Sequence, residues 1–341
     1  MEVIAYRDAS AFDELKDEWQ VLVEHSCTNT IFSTWEWHKN WWHAYHPGDL
    51  WVLAIRGDGN RLLGIASMFI EHNETHGRTV RHVGCEDVTD YLDFIIDRDC
   101  TGPVYQALVS YLVAHQDEYD LLNLCNVPEA SPSTQAFVDG LKAENYDVTV
   151  SQQDVCPVIE LPEDFETYLS NLDKKQRHEV RRKLRRAEGQ RKMGSLDWYI
   201  VDESHDLEVE MDHFLRLMAA SHPEKAGFLE EGSHVTFFKS IVPAALARGW
   251  LQLNFLTINE TPVATYLNFD YNDHILVYNS GLDPEEYGQF SPGIVLLAYT
   301  IEHAIEVGRE LFDFLRGDEQ YKYRMGGKDT TVLNIRAQRA N

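Results

Sequence analysis

HILVYNSGLDPEEYGQFSPGIVLLAYTIEHAIEVGRELFDFLRGD, residues 274–318, reads as strand, helix, strand. The apolar run at 274–283 is short and rich in β-formers, so it predicts a strand. Pro292 opens a helix, PGIVLLAYTIEHAIEVG, because proline at the first helical position loses no hydrogen bond. RELFDFLRGD (309–318) predicts the next strand. Just upstream, WLQLNFLTINETPVATYLNFD (250–270) predicts two strands around a short turn. The first half carries the same order. WVLAIRGDGNRLLGIASMFIEH (51–72) is a hairpin signal around Gly57-Asp58-Gly59-Asn60. The strand-like DYLDFIID (90–97), a helix opened by Pro103, and YDLLNLCNV (119–127) follow. One α/β unit is written twice, with the break where Cys156-Pro157 and Leu161-Pro162 interrupt the pattern. The predicted domains are 1–155 and 156–341, each α/β around a mixed sheet.

Composition narrows the classes. The 341 residues include 44% hydrophobic ones, enough for two cores. No run of 18 apolar residues predicts a membrane span, and the acidic start MEVIAYRDASAFDELKDEW has no signal-peptide layout, so a cytoplasmic protein is expected. Cys27, Cys85, Cys100, Cys125 and Cys156 form no CxxC pair; reduced thiols are expected, with no disulfide framework and no zinc site.

Net charge is −26, which opposes broad nucleic-acid or anionic-membrane binding. Residues 174–192, KKQRHEVRRKLRRAEGQRK, reverse it. Ten Lys or Arg face Glu179 and Glu188, a net of +8, which leaves −34 for the rest. This segment, within 173–193, predicts a helix capped by Asp173 with Gln176 and ended by Gly194. Val180, Leu184 and Ala187 give it an apolar stripe. Arg177, Arg181 and Arg185 form a row suited to phosphate-bearing substrates. In the first half, Trp37, Trp41 and Trp42 share one helical face and are expected in the core.

DFLRGDEQYKYRMGG (313–327) resembles the C-terminal signature of the CelD-like, cellulose-biosynthesis-type GNAT acyltransferases, related to the Fem-type peptidyltransferases. FSTWEWHKNWW, LLGIASMFI and LDKKQRHEVRRKLRR agree with that resemblance. It implies two tandem GNAT-like domains, matching the duplication, with the active site carried mainly by the second. It implies acyl transfer, acetyl in the first instance, from acyl-CoA to an amine of a sugar, polysaccharide precursor or amino-acid-like acceptor. On that reading Asp313, Arg316, Tyr321 and Lys322 are the catalytic candidates. Arg316 would hold an anion, Asp313 would orient it or take a proton, Tyr321 would protonate the thiolate and Lys322 would bind an anionic substrate. Gln289, Ser291 and Gly293, at the start of the Pro292 helix, are the cofactor-binding candidates: Ser291 would cap the helix, and its free N–H groups would face the CoA pyrophosphate. The loop departs from the usual GNAT glycine spacing.

Two other classes compete. A Fem-type enzyme would take its acyl group from aminoacyl-tRNA, which the basic helix favours and the acidic remainder opposes. A scaffold without catalysis would use the basic helix to dock. His72 with His76, and His38, His43 and His46, lack the partners a metal site needs, and no metal is expected. Ser204-His205-Asp206 and Ser221-His222 are contiguous, whereas triads converge in space. No GxSxG, Walker or GxGxxG motif is present.

Overall fold

The computed structural model describes residues 1–85, 88–284 and 287–340. Strands run in chain order as β1 (Glu2–Tyr6), β2 (Asp49–Arg56), β3 (Leu62–Asn73), β4 (Gly77–His82), β5 (Ile95–Ile96), β6 (Leu121–Pro128), β7 (Tyr146–Glu160), β8 (Leu196–Ile200), β9 (Leu251–Ile258), β10 (Thr261–Tyr271), β11 (His274–Leu282), β12 (Leu311–Asp313) and β13 (Lys328–Arg339). Met1–Val155 with Thr330–Asn341 make one compact unit, and Cys156–Asp329 make the other. The end of the chain, read above as part of the second half, thus packs with the first: Val332–Ala337 of β13 pair with β6.

In the first unit β1, β2, β3 and β4 are antiparallel neighbours, and β6 lies parallel to β4. The hairpin forms as expected, with Gly59 (φ 67°) and Asn60 (φ 66°) supplying the left-handed turn residues. The third strand is Gly77–His82, whereas the expected strand 90–97 shrinks to Ile95–Ile96, followed by an isolated bridge from Asp97 to Ser26. The reason is a buried carboxylate. Asp93 accepts from the Ser131 and Ser133 hydroxyls and from Phe94 N, which holds that stretch irregular. Helices Thr101–Ala114 and Ala136–Ala143 cover one sheet face through Val104, Leu108, Phe137 and Leu141. The aromatic helix Trp35–Tyr45 covers the other; Trp37 and Trp41 are fully buried, and the Trp41 ring lies tilted 5.7 Å from that of Phe69 of β3.

Cys85 and Cys125 correct an expectation. They are joined by a disulfide with their Cα atoms 6.3 Å apart. Forty residues separate them in sequence, and the parallel pairing of β4 with β6 brings them together. Cys27, Cys100 and Cys156 are outside any disulfide among the described residues.

The second unit repeats the order. Strands β8, β9, β10 and β11 are antiparallel neighbours, β12 lies parallel to β11, and residues 158–160 of β7 pair antiparallel with β12. Helix Pro292–Glu306 and the basic helix Lys174–Lys192 cover one face, burying Leu296, Leu297, Val180 and Ala187 with Tyr266 and Val277. Helices Leu207–Ser221 and Gly232–Ala247 cover the other, where Phe238 meets Tyr278 of β11. Asp173 caps the basic helix, its Oδ1 accepting from Lys175 N and Gln176 N.

Candidate functional site

Strands β11 and β12 pair only as far as Leu276 and Asp313. β11 then continues to Leu282 with a bulge, since Leu267 faces Asn279 while Asn268 faces Val277 and leaves Tyr278 as the extra residue. The chain after β12 turns the other way. Phe314 N donates to Pro157 O at 2.9 Å, and Leu315 adopts φ 57°, a left-handed conformation rare for leucine. Two parallel strands therefore part at their C-terminal ends, the place where open α/β sheets collect ligands.

The β12 side is built by the predicted signature. Asp313 is 4% exposed, and its Oδ1 accepts from Leu315 N at 2.7 Å, holding the strained turn. Arg316 is half-buried on the loop that follows. Lys322 is 2% exposed. Its Nζ donates to the carbonyls of Leu315 (3.1 Å), Arg316 (2.6 Å) and Gly317 (3.1 Å) and lies 2.8 Å from Glu319 Oε2. Against the expectation that Lys322 grips substrate, its three N–H donors already serve four acceptors of the protein. Tyr321 sets its ring edge-on to Phe314 at 6.0 Å. Burial, with Tyr266 and Glu319 nearby, pushes its phenol well above the ordinary tyrosine range, so it keeps its proton at neutral pH.

On the β11 side stands a residue the sequence reading missed. Lys225, from helix Pro223–Glu230, directs its Nζ to Ser280 O (2.5 Å), Asn279 Oδ1 (3.1 Å) and Ser280 Oγ (3.3 Å), on the part of β11 that has left β12. Burial lowers its pKa to about 8, with Glu319 pulling the other way. No local pattern marks it; the lysine is distant in sequence from both strands.

The Pro292 helix begins beside the same opening. A Cβ on Gly293 would lie 3.1 Å from Leu282 Cδ2, at the end of β11. Ser291 does not cap the helix as expected. It takes φ 53°, and its Oγ instead accepts from Lys183 Nζ at 2.9 Å. Arg186 donates to the Gln289 carbonyl at 2.9 Å and lies 5.1 Å from the Phe290 ring centroid. A helix N-terminus and two cations thus converge, a combination suited to phosphates.

The predicted arginine row does not face this opening. Arg177 donates to Ser170 O, and Arg181 pairs with Glu166, so both tie the basic helix to helix Phe165–Asn171. Arg185 is exposed. Lys183 and Arg186 sit on the face turned to the Pro292 helix, which helical phase alone does not reveal. Among the described residues no group of three or more His, Cys, Asp or Glu is placed to hold a metal.

Residues 174–323 match the family described as an acetyltransferase (GNAT) domain. A crystal structure of FemX is similar over 98% of this chain and 97% of its own, with TM-score 0.65 and 12% identity. The fold is tandem GNAT-like. A conserved protein of unknown function from Bacteroides thetaiotaomicron shares this tandem GNAT-like fold over 99% of this chain and 100% of its own (TM-score 0.60, 11% identity). L-PGS from Bacillus licheniformis does so over 98% and 93% (TM-score 0.55, 10% identity). No curated protein matches the sequence. Among the described residues no helix is long and apolar enough to cross a membrane.

Proposed function

We propose that this chain is a GNAT-type N-acyltransferase that moves an acyl group, acetyl in the simplest case, from acyl-CoA to an amine of a sugar, glycan precursor or amino-acid-like acceptor. One observation carries the reading: β11 and β12 part beside the start of the Pro292 helix, where Lys183 and Arg186 converge. The cations and helix N–H groups would hold the CoA phosphates, and Gly293 would let the backbone approach them. The thioester would lie between the separated strands, with Arg316 at the loop. The acceptor amine attacks the carbonyl carbon, the C–S bond breaks, Tyr321 protonates the departing thiolate, and the proton that the acceptor nitrogen sheds returns to the Tyr321 phenolate. Asp313 and Lys322 keep the Leu315–Gly317 loop in shape. This chemistry asks for no metal, and the proposed place of action is the cytoplasm.

The test is a thermal-shift titration with CoA and acetyl-CoA on wild type and on the Lys183→Ala, Arg186→Ala double variant. A ligand at 100 times its Kd adds about 2.7 kcal/mol, a visible rise in Tm. The variant should lose most of that rise. No rise in folded wild type with either ligand rejects the CoA donor.

A second reading keeps the fold and exchanges the donor for aminoacyl-tRNA. The +8 basic helix, with exposed Lys174, Lys175 and Arg185, favours it. Its mark would be tRNA binding that weakens steeply with salt.

A further inference from the structure

We infer that Lys225 is a nucleophilic amine of the β11–β12 opening and becomes acylated itself by an activated acyl group, an acyl thioester in the reading above, on which this inference rests. Its contacts place it there. Its Nζ touches Asn279 and Ser280, on the stretch of β11 that Asp313 and the following loop have left. Its surroundings differ from those of Lys322 on the β12 side. Lys322 faces only carbonyls and a carboxylate, four acceptors without a proton to give, which is a setting for an ammonium. Lys225 faces the Ser280 carbonyl, the Asn279 amide oxygen and the Ser280 hydroxyl. A neutral amine fits that set: two N–H groups donate to the oxygens, and the Ser280 O–H turns to donate to the lone pair.

Burial supports this reading. With a pKa of about 8, roughly a tenth of the amine is neutral at pH 7, against less than about a thousandth for an ordinary lysine. The step balances. The neutral Lys225 Nζ bonds to the acyl carbon, the C–S bond breaks, and the one proton that the nitrogen sheds passes by way of the Ser280 hydroxyl to the departing thiolate. The product is an amide that no longer carries the charge facing Glu319.

The experiment uses the full chain, acetyl-CoA or p-nitrophenyl acetate, and peptide mass spectrometry of each lysine over time. Lys225 should be acetylated at least about tenfold faster than the exposed Lys174 and Lys175, because it is both less protonated and held at the donor. Free CoA should slow the reaction with acetyl-CoA. Labelling of Lys225 no faster than Lys174 and Lys175 with either reagent overturns the inference, even where acetyl-CoA raises Tm and the donor reading survives. Selective labelling by p-nitrophenyl acetate alone keeps Lys225 as the nucleophile and removes the CoA donor.

Discussion

Lys322 Nζ donates to the carbonyl oxygen of Arg316 at 2.6 Å, and this contact fixes the loop on which Arg316 stands. Replacing Lys322 with Met would bury three carbonyl oxygens without a donor and free Glu319. Leaving such groups unpaired costs about 3 kcal/mol. Lys322→Met should therefore lower Tm by several degrees and abolish the acetyl-CoA thermal shift. Lys322→Arg should not rescue it, because a planar fork cannot aim at three carbonyls around one point. Retention of the wild-type shift in Lys322→Met would show that the loop needs no such staple.

Gly281 of β11 lies against helix Leu207–Ser221. A Cβ there would meet Met218 N at 2.3 Å and Leu217 C at 2.4 Å, both backbone atoms that cannot swing aside. Gly281→Ala should lose about 2–3 kcal/mol in urea unfolding. Gly189, inside the basic helix with nothing within 4 Å of its added Cβ, should behave oppositely. Gly189→Ala should gain about 0.5–1 kcal/mol. A neutral Gly281→Ala would mean that the helix sits farther from β11.

His38 and His82 are both buried in the first unit, and burial depresses their pKa values to about 3 and about 4. An unfolded histidine binds its proton near pH 6.5, so below that pH the unfolded state takes up more protons than the native one. Their contribution is present above pH 6.5 and lost as pH falls toward 4. Each can add up to about 1.4 kcal/mol per pH unit to the slope. Asp93 acts in the opposite sense: burial raises it to about 6, so the native state holds that proton more tightly between its ordinary range and pH 6. Urea midpoints measured from pH 7.5 to 4 should fall, and His38→Gln should flatten the curve. An equally steep curve in that variant would assign the acid sensitivity elsewhere.

The Cys85–Cys125 bond closes a loop of forty residues in the first unit. In the chain-entropy account, such a cross-link stabilises by about 3–4 kcal/mol. Dithiothreitol should lower the Tm of the first unit by several degrees, and Cys85→Ser should reproduce that fall without further response to reductant. Alkylation of both residues in unreduced, denatured protein would show that the bond is absent in solution.

Local order is legible in the sequence. Asp173 and Gln176 open the basic helix and Gly194 follows it, because caps involve residues only two or three apart. Pro292 starts its helix, Gly59 and Asn60 turn the first hairpin, and Trp37 and Trp41 fill the core for the same reason: each rule joins near neighbours or one periodic face. The repeated strand and helix order was visible as well. The misplaced strand at 90–97 shows the limit of such rules. Its apolar residues are indeed buried, but Asp93 binds Ser131 and Ser133, far along the chain, instead of entering a ladder.

The site was legible only in outline. The signature around Asp313, Arg316, Tyr321 and Lys322 singled out one loop as a candidate, yet residue type could not say whether the Lys322 ammonium faces solvent or three carbonyls of its own chain. Helical phase gave the basic helix its faces without saying which would meet the Pro292 helix, so the row Arg177, Arg181 and Arg185 stood out as a substrate grip while the contacts of Lys183 and Arg186 did not. Lys225, the Cys85–Cys125 bond and the return of β13 to the first unit had no local signal at all. Residue order sets backbone propensity and amphipathic period within a turn or two. The contacts that make a buried polar site form between segments tens of residues apart, where packing and the need to satisfy every buried donor and acceptor choose the partners.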